Sequence, residues 1–460
     1  MKKYLILALL AVTTIFLASC ERLSEKIVVT IGMWPEASLK DDVNMYNAWK
    51  EAFEADHPEY EIKGEPYTYS PETFKPKANN HDLPTVFQTW FTEPRGIVND
   101  GHAKDITEMV KKLGWYDKID PKLAEYLTFD GKLYGIPRDG YGLGLVINLD
   151  VFEDAGLLDE EGLPLYPKTM AELRTTAAHI SDTLGINGLI VLNNNKNGGW
   201  QFSNLAWNFG AKLQVQDENG KWKANLNDPG AVEALQMIKD MYWTDESLKK
   251  GTNNTYNDWH IDIASGTVGM AIAGNDALSM VTSSGLSKDK IGFYPMPKGG
   301  PDNQHQYTLF GGTPYMFSKY ATDEEVEGAL KFLEYIGRSP EVSKPAQDAL
   351  VEGMRVASQK QMLILPSLHP WINQEYIEVI EGLEKSYVNV EMKYFQDFYD
   401  NIMVTRRAEE PHFTQEMYQI LDEVLQQVAS NQNADPLNLL TAANERFQSV
   451  YLNQLDKWKI

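Results

Sequence analysis

Apolar positions along this chain follow two periods, and the points where the period changes divide it into alternating strands and helices. Residues 27–31 are a β-branched run, read as a buried strand that ends in the turn Gly32-Met33-Trp34-Pro35. From 41 to 55 the period lengthens, with Val43, Tyr46, Trp49, Ala52 and Phe53 at helical spacing. Asp41 is placed to cap this helix and His57-Pro58 to stop it. Residues 61–65 return to a strand, and strand–helix–strand is the signature of an α/β lobe with a parallel sheet. Further strands are expected at 86–89, 143–148, 188–193, 269–273 and 314–318. Helices are expected from Thr169, with Glu172 completing a capping box, from Asp228 to about 242, and over 323–336, 416–428 and 437–455. Two stretches read as connections. Residues 138–142, Arg-Asp-Gly-Tyr-Gly, have the glycines a hinge needs, and 291–297 is extended with two prolines, which predicts another crossing. Residues 193–199 read as a polar loop leading to Trp200.

The first twenty residues follow another logic. Lys2 and Lys3 precede an apolar run too short to span a bilayer, and Leu17-Ala18-Ser19-Cys20 supplies small residues at a cut. The run resembles a bacterial lipobox, in which Cys20 is diacylated and becomes the new N-terminus. The expected protein is therefore an acylated lipoprotein, tethered to the membrane outside the cytoplasm through residues 20–26, with 1–19 removed.

Composition narrows the class. A chain of 460 residues is long enough for two lobes, and 43% hydrophobic with 23% charged residues is globular. A formal charge of −23 argues against nucleic acid as a partner. A single cysteine excludes a disulfide framework and any zinc site built on paired cysteines. The chain lacks G-x-S-x-G, H-E-x-x-H and P-loop patterns, and its eight histidines form no i, i+4 pair. No metal site, no cofactor and no catalytic residue is assigned. Asp217-Glu218-Asn219-Gly220 reads as a hairpin turn, since the later ligands of a calcium loop are missing.

What stands out is a set of aromatic residues beside short polar ones at strand ends, where ligand crevices of open α/β sheets lie. Trp34 sits with Glu36, Trp90 with Glu93, Tyr141 with Asp139, and Trp200 follows Asn197. Rings can cover the C–H faces of a sugar while carboxylates and amides bond its hydroxyl rim. Trp49, Trp243 and Trp259 fall in helical patterns and are left to the core.

In order and spacing, these segments resemble bacterial extracellular solute-binding proteins of the ABC-transporter family that includes maltose-binding protein. The resemblance rests on 27–34, on the helix with an F-E-x-x-x-P ending at 53–58, and on Leu83-Pro84-Thr85-Val86. It rests most on G-K-L-Y-G-I-P at 131–137 followed by L-V-I-N-L-D at 145–150, then on 167–173, 228–242, 265–276 and 295–318. Thr85, Ile147, Leu149 and Met170 depart from the family's usual residues. The resemblance implies a two-lobe periplasmic-binding-protein-like fold of type II, each lobe a mostly parallel sheet flanked by helices. It implies solute capture between the lobes by hinge closure, and docking of the monomeric protein on an ABC permease. On this reading the first lobe takes 27–138 and 297–345 and the second 142–292 and 352–460, with crossings at 139–141, 293–296 and 346–351. The cleft is expected at the turns after Trp34, Thr89, Pro137, Asn195, Gly274 and Phe310 and near Pro411-His412-Phe413. This adds Asn275, Asp276, Gly311 and Phe413 to the candidates, with Asp276 about where the family often has a stacking Trp. The expected solute is a sugar or oligosaccharide. The same residues would also suit a polyamine or another cationic solute, and a secreted carbohydrate-active enzyme stays open as a third reading.

Overall fold

The computed structural model describes residues 25–458, so Cys20 and the expected signal segment lie outside the described residues. In chain order the strands are β1 (Ile27–Gly32), β2 (Tyr60–Gly64), β3 (Val86–Gln88), β4 (Thr128–Phe129), β5 (Lys132–Leu133), β6 (Gly135–Pro137), β7 (Tyr141–Asn148), β8 (Asn187–Ile190), β9 (Gln214–Gln216), β10 (Trp222–Ala224), β11 (Val268–Gly274), β12 (Ile291–Pro295), β13 (Thr308–Gly311), β14 (Pro314–Phe317) and β15 (Arg406–Ala408). The first sheet has the order β2-β1-β3-β14-β6; the second runs β15-β13-β7-β11-β8, with β12 also on β7. Small hairpin ladders join β4 to β5 and β9 to β10.

Both sheets are buried on two faces, as in other α/β folds. Alternate residues of β7 point to opposite cores. Leu143, Leu145 and Ile147 pack with Trp207, Leu235 and Leu421, while Val146 packs with Trp259, Phe293 and Phe398. In the first sheet Val86 and Phe317 join Val29, Phe53 and Phe332 on one face, and Phe87 and Met316 join Phe74 on the other. The sheets are mixed rather than mostly parallel: β1 pairs in parallel with β2 and β3, but β14 is antiparallel to β3 and β6. In the second sheet β7 is antiparallel to β11, β12 and β13. Strands that enter a sheet from the other lobe have no βαβ crossover to set their direction.

Helix starts follow local chemistry. Thr169 Oγ1 accepts the Glu172 amide at 3.1 Å and the Glu172 carboxylate accepts the Thr169 amide at 3.1 Å, a complete capping box. Asp228 accepts the Gly230 amide at 2.9 Å. Asp41 lies inside the first turn of the helix Lys40–Asp56 rather than at its cap, where a carboxylate still favours the helix dipole.

The crossings differ from the expected set. The chain passes from the first sheet to the second between β6 and β7, and back between β13 and β14 at Gly312-Thr313. Residues 293–296 are no crossing, because β12 pairs with β7 from Ile291 to Pro295, with Pro295 ending the strand and Pro297 beyond it. Residues 346–351 lie within one continuous helix, Lys344–Gln359, packed on the helix Lys40–Asp56. The last return lies farther along: Trp371 and Ile380 still join the first-lobe core, and Phe395 and Phe398 join the second.

The expected loop at 193–199 is in part a helix, Asn197–Asn208. Gly198-Gly199 is a poor helical sequence, but a Cβ on Gly199 would lie 2.3 Å from the Tyr418 carbonyl oxygen. Only glycine lets this helix approach the helix Thr414–Ser430 so closely. Gly199→Ala should cost about 1–3 kcal/mol of stability. Gly382→Ala, in a helix with nothing within 4 Å of the new methyl, should gain about 0.5–1 kcal/mol. Denaturant midpoints of the two variants check the contrast.

Candidate functional site

A cleft of about 630 Å³ opens between the lobes. Two other hollows have similar volumes, about 690 Å³ beside Met170 and Leu437 and about 620 Å³ beside Trp371 and Met403. What distinguishes the cleft is the convergence of polar and charged side chains among aromatic rings, from both lobes.

The first lobe contributes Trp90 and Thr92 after the end of β3, Glu72 from the helix Pro71–Asn79, and Gly312-Thr313 from the crossing. The Trp90 indole is 38% exposed and is held edge-on against Tyr69 at 5.2 Å. The second lobe contributes an arc of rings: Tyr141 lies 6.1 Å from Trp200, and Trp200 lies 6.2 Å from Tyr256. Tyr141 needs space on both sides. A Cβ on Gly311 would lie 2.5 Å from its hydroxyl oxygen, and one on Gly274 would lie 3.1 Å from its ring.

The Trp200 wall is anchored from another helix. Asn195 and Lys196 both take left-handed backbone, φ 56° and 69°, and the helix they open has no cap of its own. Asp422 supplies one, accepting the Lys196 amide at 2.5 Å and the Gly199 amide at 2.8 Å. Burial holds the Asp422 carboxyl up at about 6 although these amides favour its ionised form. Across the mouth, Lys196 Nζ pairs with Glu72 at 3.2 Å and Gln415 Nε2 donates to Thr92 Oγ1 at 3.1 Å.

The back of the cleft is acidic. Glu409 follows β15 and is 8% exposed. Its Oε1 accepts the Tyr418 hydroxyl at 2.9 Å, and its amide donates to the Tyr126 hydroxyl at 2.9 Å. The same Tyr126 hydroxyl donates to the Phe310 carbonyl at 2.8 Å, which ties Glu409 to a crossing strand. Burial, and then Glu93, push the Glu409 carboxyl up to about 7. Asp276 is open to the water of the cleft but sits deep between the lobes; desolvation first, then Asp139, push it up to about 6. Tyr141 feels both, and its phenol is held well above the usual range by burial, then by Glu409 and Asp276.

Of the residues expected from sequence, Trp90, Tyr141, Asn197, Trp200 and Asp276 line this cleft. Four others support its walls. Glu93 accepts from Tyr69 at 2.6 Å and Thr92 at 3.1 Å. Asp139 accepts from Arg138 Nε at 2.5 Å and the Thr313 amide at 3.1 Å. Asn275 is buried, accepting the Gly142 amide at 2.9 Å, and Gly311 makes room for Tyr141. Three expectations are corrected. Trp34 does not reach the cleft, because β2 ends in Gly64 and the indole fills the space there while stacking 6.4 Å from Phe332. Glu36 is an exposed turn residue whose carbonyl accepts the Leu39 amide at 2.8 Å. Phe413 turns away, at left-handed φ 47°, and packs on Tyr451 and Trp458.

Sequence reasoning missed Glu72, Lys196, Tyr256, Glu409, Gln415, Tyr418 and Gln419. The adjacent acids Glu409-Glu410 before Pro411 were an available signal, but only one serves the cleft: Glu410 accepts the Trp207 indole N–H at 2.9 Å. Tyr418 reads as a core position and is 1% exposed, yet its hydroxyl ends on Glu409.

Residues 48–350 match the family described as bacterial extracellular solute-binding protein. A putative binding protein of Brucella abortus is 24% identical over 296 residues, covering 62% of this chain and 67% of that protein. The fold is similar to a Thermotoga lettingae ABC-transporter solute-binding protein bound with α-D-tagatose, with TM-score 0.69, 18% identity and 93% of this chain and 100% of that chain covered. It is also similar to a Listeria monocytogenes substrate-binding protein in complex with cycloalternan, with TM-score 0.68, 14% identity and 94% and 99% covered. A Mycobacterium tuberculosis protein in complex with glycerophosphocholine has TM-score 0.68 and 17% identity, with 94% and 98% covered. Identities this low establish the fold and leave the solute to be argued from the site.

A carboxyl with a raised folded-state pKa binds its proton more tightly folded than unfolded, so stability falls as pH climbs from about 4.5 through 7. Among the described residues Glu409 is bonded to the Tyr418 and Tyr126 hydroxyls, and the charge that acts on it most is the anion Glu93. Glu409→Gln should therefore stabilise the unliganded protein at pH 8 by on the order of 2–3 kcal/mol. The gain should vanish near pH 4.5, as thermal melts across that range will read.

Proposed function

The chain belongs to the bacterial extracellular solute-binding protein family, and from that premise we propose that it captures a sugar or oligosaccharide for an ABC importer. The observation that carries this reading is the arc of Trp200, Tyr141 and Tyr256 facing Trp90 across one cleft, with amides and carboxylates between. Rings cover the apolar faces of a pyranose, and Asn197, Gln415, Gln419 and Thr92 offer donors and acceptors to its hydroxyls. The structural relatives bound with tagatose and cycloalternan support the same solute class.

No bond of the solute is made or broken. Contacts from both lobes favour the closed form, and the solute shifts the population toward it by its extra affinity for that form. Lys196–Glu72 and Gln415–Thr92 bridge the lobes and add to closure. The closed form then docks, as a monomer, on the permease in the membrane. Among the described residues no helix is long and apolar enough to cross a membrane, and attachment is assigned to acyl chains on Cys20.

Isothermal titration of the purified protein against mono- and oligosaccharides tests the reading. A sugar should bind without being consumed, and Trp200→Ala and Trp90→Ala should each weaken it about tenfold. Turnover of the sugar, or affinity indifferent to both rings, would count against it. Cys20→Ser should release the protein from the membrane fraction; retention there would sink the lipid anchor.

A further inference from the structure

The charged groups lining the cleft are Glu72, Asp276, Glu409 and Lys196, so acids outnumber bases. The one base is engaged, with Lys196 Nζ 3.2 Å from Glu72 at the mouth. Arg138, the positive group that acts on Asp276, is bonded to Asp139 and to Gln88 Oε1 at 3.2 Å. Among the described residues neither Asp276 nor Glu409 forms an ion pair of its own. Apart from its own amide, Asp276 has no hydrogen-bond partner among the described residues. Glu409 has one oxygen on the Tyr418 hydroxyl; its Oε2 has no donor among the described residues, although the residue is more than nine-tenths buried.

An anion buried without a partner is costly, and a hydroxyl donor meets its hydrogen-bonding demand without meeting its charge. The two carboxylates line the same cleft as the Tyr141 ring, and Asp276 Oδ1 and that ring are the nearest neighbours of a Cβ placed on Gly274. Trp200 and Tyr256 continue that wall, and aromatic faces attract a cation as readily as they cover a sugar. Rings beside two uncompensated carboxylates suit a pyranose that carries a protonated amine. Building on the sugar-binding reading above, we propose that the solute is an amino sugar, or an oligosaccharide containing one, and that Glu409 and Asp276 select it by pairing with its ammonium group. Both carboxylates are specificity determinants, and the stability lost to the buried Glu409 in the empty protein is recovered when the cation enters.

The test uses matched solutes that differ in charge: glucose and glucosamine, galactose and galactosamine, cellobiose and the β-1,4-linked glucosamine dimer, each amine also as its N-acetyl form. Titration calorimetry on the intact protein should find the amine of at least one pair bound tenfold or more tighter than both its neutral and its N-acetyl counterparts. Glu409→Gln and Asp276→Asn should each collapse that ratio toward one, whereas Trp200→Ala should weaken amine and neutral sugar together and leave the ratio standing. Melting curves of the same variants confirm that they are folded, and Glu409→Gln should melt above the parent at pH 8. Equal affinity within every pair, or a ratio that survives both amide variants, overturns the inference and leaves the sugar reading intact. Folded protein that binds no member of any pair, while binding spermidine or nothing at all, overturns the sugar reading and the inference with it.

Discussion

Two amide bonds to one carboxylate hold the wall on which the cleft depends. Asp422 accepts from Lys196 and Gly199, so the helix carrying Asn197 and Trp200 begins where the helix carrying Gln415, Tyr418 and Gln419 passes behind it. The contact has no slack, because the Tyr418 carbonyl occupies the place where any side chain at 199 would begin. Loss of the cap would free Lys196 from its left-handed turn, and with it the contact to Glu72 across the mouth. One buried group thus sets a ring, a carboxylate-bearing residue's partner and a bridge between the lobes.

The floor of the cleft reflects the opposite choice. Where Asp422 accepts from two amides of another helix, Glu409 has one hydroxyl and Asp276 only its own amide, and burial raises all three carboxyls. Cores avoid such groups unless something external repays their cost. Their location beside the crossing strands places this cost where the chain passes between the lobes. Tyr126 shares its hydroxyl between the Glu409 amide and the Phe310 carbonyl, so a change at Glu409 reaches a segment that joins the lobes. A buried ion pair behind the same strands, Arg406 with Asp120 at 2.9 Å, supports that junction.

Local signals were legible where chemistry acts over a few residues. The capping box at Thr169, the Asp228 cap, the β-branched run of β1, the apolar run of β11 and the glycine-rich passage from β6 to β7 could all be read by eye. So could five of the cleft residues, because ligand crevices lie at strand ends. Trp34 was misread because nothing in its own neighbourhood shows that β2 will present Gly64 beneath it. The crossing expected at 293–296 was misread because prolines can end a paired strand as well as replace one.

The sequence by itself determined the class: alternating periods, an acidic globular chain, a single cysteine, and ordered motifs of a binding-protein family. Only the tertiary structure decided which side chains meet in the cleft. Asp422 and Lys196 are 226 positions apart, Glu72 and Lys196 are 124 apart, and Thr92 and Gln415 are 323 apart. Hydrophobic period and capping are short-range properties of the backbone, so they specify elements without specifying which ends of distant elements face each other. That pairing comes from how two sheets and the chain that crosses between them pack their shared cores.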